Sequence, residues 1–300
     1  MSRDAADINR SIFNEEAASY DDKHRKLIER LTRELQARLD FIGVDWASDD
    51  EDSSEEDGEG NDENPRREVR LLDYACGTGV MSWALAPYTT QCVGLDISEQ
   101  MIAAYNTRAE NQGLSSDEMH AVLGDLASET IDNALLSPEL FNFDIAAVGG
   151  GFHHFGDPEL AAKRLVERLK PGGVLLIWDF LPHGGRHGHN HKHDGHSHAE
   201  KDSSHDVYHS VMHHGFSEPR MREIFTAAGA GTDFRLELIG GGFALGGHGH
   251  EPRQDQSTAP SGALEGGGAG IGKEKGEDQD KEAFRRQVFF ARGTKGGVGT

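Results

Sequence analysis

Between residues 69 and 180, short apolar runs alternate with amphipathic stretches. VRLLDYA (Val69–Ala75), QCVGLDIS (Gln91–Ser98), EMHAVLGDL (Glu118–Leu126), FNFDIAAVGGG (Phe141–Gly151) and GGVLLIWDF (Gly172–Phe180) are short and rich in β-branched or aromatic residues. Each is bounded by turn residues, which predicts buried strands. The segments between them predict helices. GVMSWALAPY (Gly79–Tyr88) follows a glycine turn. EQMIAAYNTRAEN (Glu99–Asn111) follows a capping Ser98, and ELAAKRLVERLK (Glu159–Lys170) has Asp157 as cap and Pro158 at its first position. Upstream, Leu27, Leu31, Leu35 and Leu39 recur at four-residue spacing and predict an amphipathic helix over 24–42. Downstream, Met221, Ile224, Phe225 and Ala228 mark one face of a helix over 217–229, with Gly229 past its end. Phe234–Leu245 and Ala283–Gly293 then read as two strands with no helix between them, hence as an antiparallel hairpin at one sheet edge. Strand–helix alternation of this kind predicts a doubly wound, mostly parallel α/β sheet.

Three tracts interrupt the pattern. SDDEDSSEEDGEGNDEN (Ser48–Asn64) is almost purely acidic, a His/Gly stretch runs from about Pro182 to Asp206, and a Gly-rich polar stretch runs from Gly246 to Lys281. Tracts so poor in large apolar residues cannot offset their ordering entropy by burial. The expected organisation is an N-terminal helical cap over 1–47, a disordered acidic linker over 48–66 and a core over 67–300, with flexible insertions at 182–206 and 246–281. The net charge of −22 disfavours nucleic acid and anionic membranes as partners, because the phosphate term would be repulsive. Two cysteines without a CxxC exclude a disulfide framework at this size. No run approaches a membrane span, and the N-terminus has no apolar leader, so a cytoplasmic location is expected.

The chemistry gathers at strand ends. The first strand ends in Asp73 and runs into a turn whose Gly77 and Gly79 let the backbone approach a ligand, with helix N–H groups beyond. A dinucleotide fingerprint wants a third glycine where this chain has Ser82. Asp96 ends the second strand 23 positions after Asp73, where a carboxylate can accept both hydroxyls of a ribose. Asp125 and Leu126 end the third strand, where the carboxylate can accept from an adenine amine, and Met101 could pack on a base or simply in the core. His153, His154 and Asp179 follow the fourth and fifth strands, and His209, His213 and His214 precede the last helix. Histidines suit a general base near neutral pH, yet each could equally be structural.

LLDYACGTG, VGLDIS, LGDL, FDIAAVGGGFHHF and LKPGGVLLIWDF occur in this order. Together they resemble a class I S-adenosylmethionine-dependent methyltransferase, similar to the small-molecule enzymes of ubiquinone and menaquinone biosynthesis. The resemblance implies a Rossmann-like seven-stranded sheet and S-adenosylmethionine as cofactor. It implies that Asp73, Ala75, Gly77 and Gly79 shape the pocket for the methionine part, and that Asp96 with Ile97 holds the ribose. It further implies that Met101, Asp125 and Leu126 surround the adenine, and that Tyr20 closes over the amino-acid end. The family usually has Gly where this chain has Ala75. The acceptor is then expected to be a small molecule methylated on oxygen or carbon, with His153, His154 and His213 as candidate catalytic residues. Two other readings remain: a protein methyltransferase, and a metal-binding protein on a methyltransferase scaffold. His187, His189, His191, His193, His196 and His198 would bind divalent metal loosely, without the fixed ligand set of a structural or catalytic site, so no metal centre is expected.

Overall fold

A computed structural model describes residues 5–47, 67–182, 211–244 and 285–297. The acidic tract over 48–66, the Gly-rich tract over 246–281, His209 and the whole histidine run from His187 to His198 lie outside the described residues. The N-terminal part is helical: α1 (Ala5–Glu16), a 3-10 turn at Ala17–Ser19, α2 (Tyr20–Gln36) and the short α3 (Leu39–Ile42). The alternation follows as β1 (Arg70–Tyr74), α4 (Val80–Leu85), β2 (Gln91–Asp96), α5 (Glu99–Asn111), β3 (Met119–Leu123), β4 (Phe143–Gly149), α6 (Pro158–Arg168) and β5 (Leu169–Phe180). α7 (Glu218–Ala228), β6 (Thr232–Ala244) and β7 (Arg285–Thr294) complete it.

The described strands form one seven-stranded sheet in the order β3-β2-β1-β4-β5-β7-β6. The first five are mutually parallel, and β7 runs antiparallel to both β5 and β6. The final strand therefore sits one place in from the edge, and its hairpin partner β6 is the edge. Strand order reverses between β1 and β4, and the crevice beyond their carboxyl ends is where such sheets bind ligands.

Each face of the sheet is covered. On one side α6 and α7 bring Leu165, Val166, Ile224 and Phe225 against Phe143, Leu175 and Phe289. On the other, Leu31 and Leu35 of α2 pack with Met81, Ala84 and Tyr105 against Leu71, Ile145 and Leu176. The leucine spacing thus serves its predicted purpose. Leu31 and Leu35 are fully buried, each worth about 1.5–3 kcal/mol by removal from water, and they fasten the N-terminal helices to the sheet.

The boundaries depart from the sequence reading in three places. α2 begins four residues before the predicted start and breaks after Gln36, while α1 has no counterpart among the predicted helices. The third strand stops at Leu123, so Asp125 and Leu126 lie in the loop beyond it. α6 stops at Arg168 rather than Lys170, and β5 starts at once with Leu169 paired to Phe143. The cause is Pro171, which disfavours helical backbone at the residue before it.

Candidate active site

The turn after β1 is built from residues with left-handed backbone. Gly77 and Gly79 have φ of +53° and +97°, and Ala75 has φ +53°. That last value explains why glycine suits the position: an L-residue there costs roughly 1–2 kcal/mol. A Cβ on Gly79 would lie 2.8 Å from the Tyr105 ring, whereas one on Gly77 would meet nothing within 4 Å. Gly79 is required by packing, and Gly77 leaves open space above the turn.

Two carboxylates frame this turn. Asp73 is buried, and its Oδ2 accepts from the Ser82 N–H at 3.0 Å and the Ser82 hydroxyl at 2.8 Å. Its Oδ1 is buried and has no partner among the described residues. Burial pushes the Asp73 carboxyl up to about 7; the Ser82 hydrogen bonds oppose the rise and the charge of Asp96 adds to it. Asp96 accepts from the Gly77 N–H at 2.8 Å and the Ser98 N–H at 2.8 Å. Burial raises its pKa too, against those bonds. Ser82 occupies the position where a dinucleotide fingerprint wants glycine, and the structure gives it a different task, that of holding Asp73.

The loop after β3 is pinned from two sides. Tyr74, the last residue of β1, donates its hydroxyl proton to Asp125 Oδ1 at 3.1 Å and accepts from the N–H groups of Leu126 and Ala127. Arg164 on α6 donates to the carbonyls of Leu126, Ser128 and Glu129. Asp125 Oδ1 also accepts from the Ala127 and Ser128 N–H groups. Leu126 is fully buried in the core, as is Met101, whose N–H is capped by Ser98.

The N-terminal helices lie across this edge. Asp21, at the start of α2, accepts from the Thr78 hydroxyl at 2.6 Å, and Arg108 approaches both Asp21 and the Trp83 ring. Tyr20 is half-buried near the same turn. Its phenol is pushed up to about 12, first by burial and then by the charges of Glu16, Asp96 and Asp21. From α1, Arg10 donates to the Ile97 carbonyl, and Asn14 accepts from the Ser98 hydroxyl and the Gln100 N–H. Asn9 donates to the His154 carbonyl at 3.2 Å. Tyr20, Asp73, Ala75, Gly77, Gly79, Asp96 and Ile97 thus gather at one end of the sheet, with Asp125 in the adjoining loop.

The histidines stand beside them. A Cβ on Gly151 would lie 2.9 Å from that of Ala75, so the turn leading to His153 abuts the glycine turn. His153 and His154 are both buried, with ring centroids 4.1 Å apart. Asp179 is fully buried; its Oδ2 accepts from the His153 N–H at 3.0 Å and faces His153 Nδ1 at 3.1 Å, while Oδ1 accepts from the Phe180 N–H. His213 reaches the Phe155 carbonyl through Nε2 at 3.1 Å, and its own N–H and that of Met212 donate to the His153 carbonyl. Asn9, Asn14, Tyr74 and Arg164 carry no sequence signal that marks them. Only Tyr74, adjacent to Asp73, could have been suspected.

Among the described residues no group of three or more His, Cys, Asp or Glu could hold a metal ion, and no helix is long and apolar enough to cross a membrane.

Residues 72–175 match the family model of the methyltransferase domain. An uncharacterized methyltransferase of Schizosaccharomyces pombe is 32% identical over 124 residues, 41% of this chain and 43% of that protein. The ubiquinone biosynthesis O-methyltransferase of Coxiella burnetii is 30% identical over 107 residues, 36% of this chain and 42% of that protein. The matches span less than half the length of these relatives. Among solved structures, a chain in the complex between the Haloferax volcanii Trm112 methyltransferase activator and a methyltransferase superposes with a TM-score of 0.53. The superposition covers 95% of this chain and 98% of that one at 16% identity, a likeness of fold. The chain is similar to class I S-adenosylmethionine-dependent methyltransferases in both its motifs and its sheet.

Proposed function

We propose that this protein is an S-adenosylmethionine-dependent methyltransferase that transfers a methyl group to oxygen or carbon of a small molecule. The observation that carries the reading is the carboxyl edge of β1 and β2. There Asp73 holds out a buried carboxylate oxygen with no partner among the described residues, and Asp96 closes onto the Gly77 N–H below an open space. An unpartnered buried acceptor suits an ammonium group, and a carboxylate beside a glycine turn suits a ribose diol. The residues present fit the cofactor. Asp73, Ala75, Gly77 and Gly79 would hold its amino-acid part, Asp96 and Ile97 the ribose, and Asp125 with Leu126 and Met101 the adenine side, with Tyr20 closing above.

When bound, S-adenosylmethionine supplies a methyl group already activated on a sulfonium. The chain then has to hold an acceptor in line and exclude water, which is mostly positioning. The α1–α2 cap serves exclusion, since it bonds to the glycine turn through Asp21 and to the β2–α5 turn through Arg10 and Asn14. A methyltransferase domain over 72–175 and the 30% identity to a ubiquinone O-methyltransferase favour a small acceptor over a protein.

The test is calorimetric titration of S-adenosylmethionine and S-adenosylhomocysteine into the full chain and into Asp96→Ala. Two charge-assisted hydrogen bonds to the ribose are worth about 3 kcal/mol together, so the variant should bind roughly 100-fold more weakly. Equal affinity in the two proteins, or no binding to either, refutes the reading.

A further inference from the structure

One edge of the sheet is formed by β6. Among the described residues β6 pairs with β7 alone, so the backbone N–H and C=O groups along its outer side face no strand. Such an edge is a template for another strand, and proteins commonly blunt it with bulges or charge. β6 carries both. Its pairing with β7 shifts register between Thr232 and Arg235, where Asp233 has φ +50°, and again between Ile239 and Phe243. The regular stretch left between the shifts is Arg235–Ile239.

The side chains of this stretch sort by face. Phe234 packs on Phe225 of α7 and Leu236 lies against the same core, while Leu238 beyond them is 48% exposed. On the other face Ile239 is buried in the core that Leu31 and Leu35 share. Arg235 and Glu237 stand at the surface there, with side chains 56% and 44% exposed. Both are already held. Arg38 donates to Glu237 Oε1 at 2.9 Å, and Arg235 donates to Asp233, whose carboxylate also accepts from the buried Arg292. Side chains fixed beforehand have little rotamer freedom left to lose on association.

Charge along the strand runs acid, base, acid: Asp233, Arg235, Glu237. A run of one sign would repel a second copy. This order is self-complementary when the strand meets itself antiparallel about a two-fold axis at Leu236, the relation of two copies in an isologous dimer. Arg235 then faces Glu237 of the second copy, twice by symmetry. On the opposite face Leu236 meets its own copy and Leu238 comes over Phe234. Opposed charges and apolar pairs in such positions contribute roughly 0.2–1 kcal/mol each. Moving the axis one residue either way sets Glu237 or Arg235 against its own copy, which is destabilising.

We propose that β6 is the association surface for a second copy of this chain. The two seven-stranded sheets join into one, with Arg235 opposite Glu237 across the two-fold axis. The register shifts on either side confine the pairing to a short stretch, so the dimer is weak and reversible. Each copy has one β6, so association through it stops at two. Strands β4, β5 and β7 separate this edge from β1, and the glycine turn takes no part.

Sedimentation equilibrium of the full chain tests the interface. The parent should be a reversible dimer with a dissociation constant of roughly 1–100 μM. Arg235→Glu and Glu237→Arg should each weaken association at least tenfold, because each sets like charges across the axis twice. An equimolar mixture of these two variants should associate at least tenfold more tightly than either alone, since each supplies the charge that the other needs at both contacts. Leu238→Lys, at a half-exposed position that the fold tolerates, should weaken association severalfold with both ion pairs intact. Thermal melts establish that each variant is folded. A parent that stays monomeric up to about 200 μM overturns the proposal, the edge then being covered within the chain or left to a different partner. A dimer that all three variants leave intact overturns it too, since the copies then meet elsewhere. So does a mixture that associates no better than its parts, because Arg235 and Glu237 would then not face each other across the axis.

Discussion

The two sides of the crevice are put together differently. On the proposed cofactor side, each carboxylate has a partner near it in the chain, Asp96 in Ser98 two positions on, Asp125 in Ala127 two positions on and Asp73 in Ser82 nine positions on, beside the longer bonds from Gly77 to Asp96 and from Tyr74 to Asp125. On the histidine side the bonds run long. Asn9 meets His154 across 145 positions, and His153 meets Asp179 across 26. Short separations make compact motifs that recur as strings of letters. Long separations leave no local trace, because nothing near Asn9 in the chain indicates what it will touch. Asp73 and Asp96 both have raised pKa values, and burial is the first cause in each.

The largest test of that contrast is Asp73→Asn. The folded-state pKa of about 7 exceeds the unfolded value, so the folded chain keeps the proton in the interval where the unfolded chain has lost it. Stability from this group is therefore greatest at acid pH and falls as pH rises from about 4 to about 7. Asparagine removes the penalty and can keep the Ser82 bonds through its Oδ1. The variant should be more stable than the parent by on the order of 2–4 kcal/mol at pH 8, and no more stable near pH 4. S-adenosylmethionine affinity should fall in the variant. In the parent that affinity should rise with pH up to about 7, as the carboxylate forms. Denaturant titrations and calorimetry at pH 4, 6 and 8 check all three. A variant less stable at pH 8 would mean that the Asp73 carboxylate supports the fold rather than straining it.

How far the sequence could be read follows the same division. The five parallel strands and the helices between them were legible because burial on both faces leaves short apolar runs, and because Ser98, Asp157 and Pro158 mark helix starts. The hairpin pairing of the last two strands was legible from the missing helix, but the place of β7 inside β6 was not, since order within a sheet has no local signal. The stop of α6 at Arg168 was available from Pro171 and was overrun by the apolar period continuing through Leu169. Asp73, Asp96 and the glycines are marked as candidates by spacing. His153 was found as a residue type at a strand end, and its bond to Asp179 required the fold. α1 escaped because its face toward the site is Asn9 and Phe13, not a leucine stripe.

A middle-sized test concerns the residue that joins the two sides. Tyr74 bonds the Asp125 loop through its hydroxyl, and its ring lies against Phe155 with centroids 5.1 Å apart. Tyr74→Phe keeps the ring contact and strands the buried Leu126 N–H, at a cost of about 1–3 kcal/mol in stability. If the hydroxyl orders the adenine side, S-adenosylhomocysteine should bind roughly tenfold more weakly. Unchanged affinity with lowered stability would show that the hydroxyl serves the fold alone.

The smallest effect should come from Ala75→Gly, and its sign is informative. Ala75 has φ +53°, a conformation that costs an L-residue roughly 1–2 kcal/mol, while glycine carries an entropic cost of roughly 0.5–1 kcal/mol. The difference favours glycine by up to about 1 kcal/mol, a rise of a few degrees in Tm at this domain size. Against this stands the loss of the methyl group that faces Gly151, where the cofactor turn abuts the turn leading to His153. If Tm rises and S-adenosylhomocysteine affinity holds, the strain at Ala75 is local to the cofactor side. If Tm falls, the methyl group is a packing contact between the two turns that outweighs its own backbone strain. Alanine at this position would then be explained by what it touches across the crevice, on the side whose contacts the sequence does not reveal.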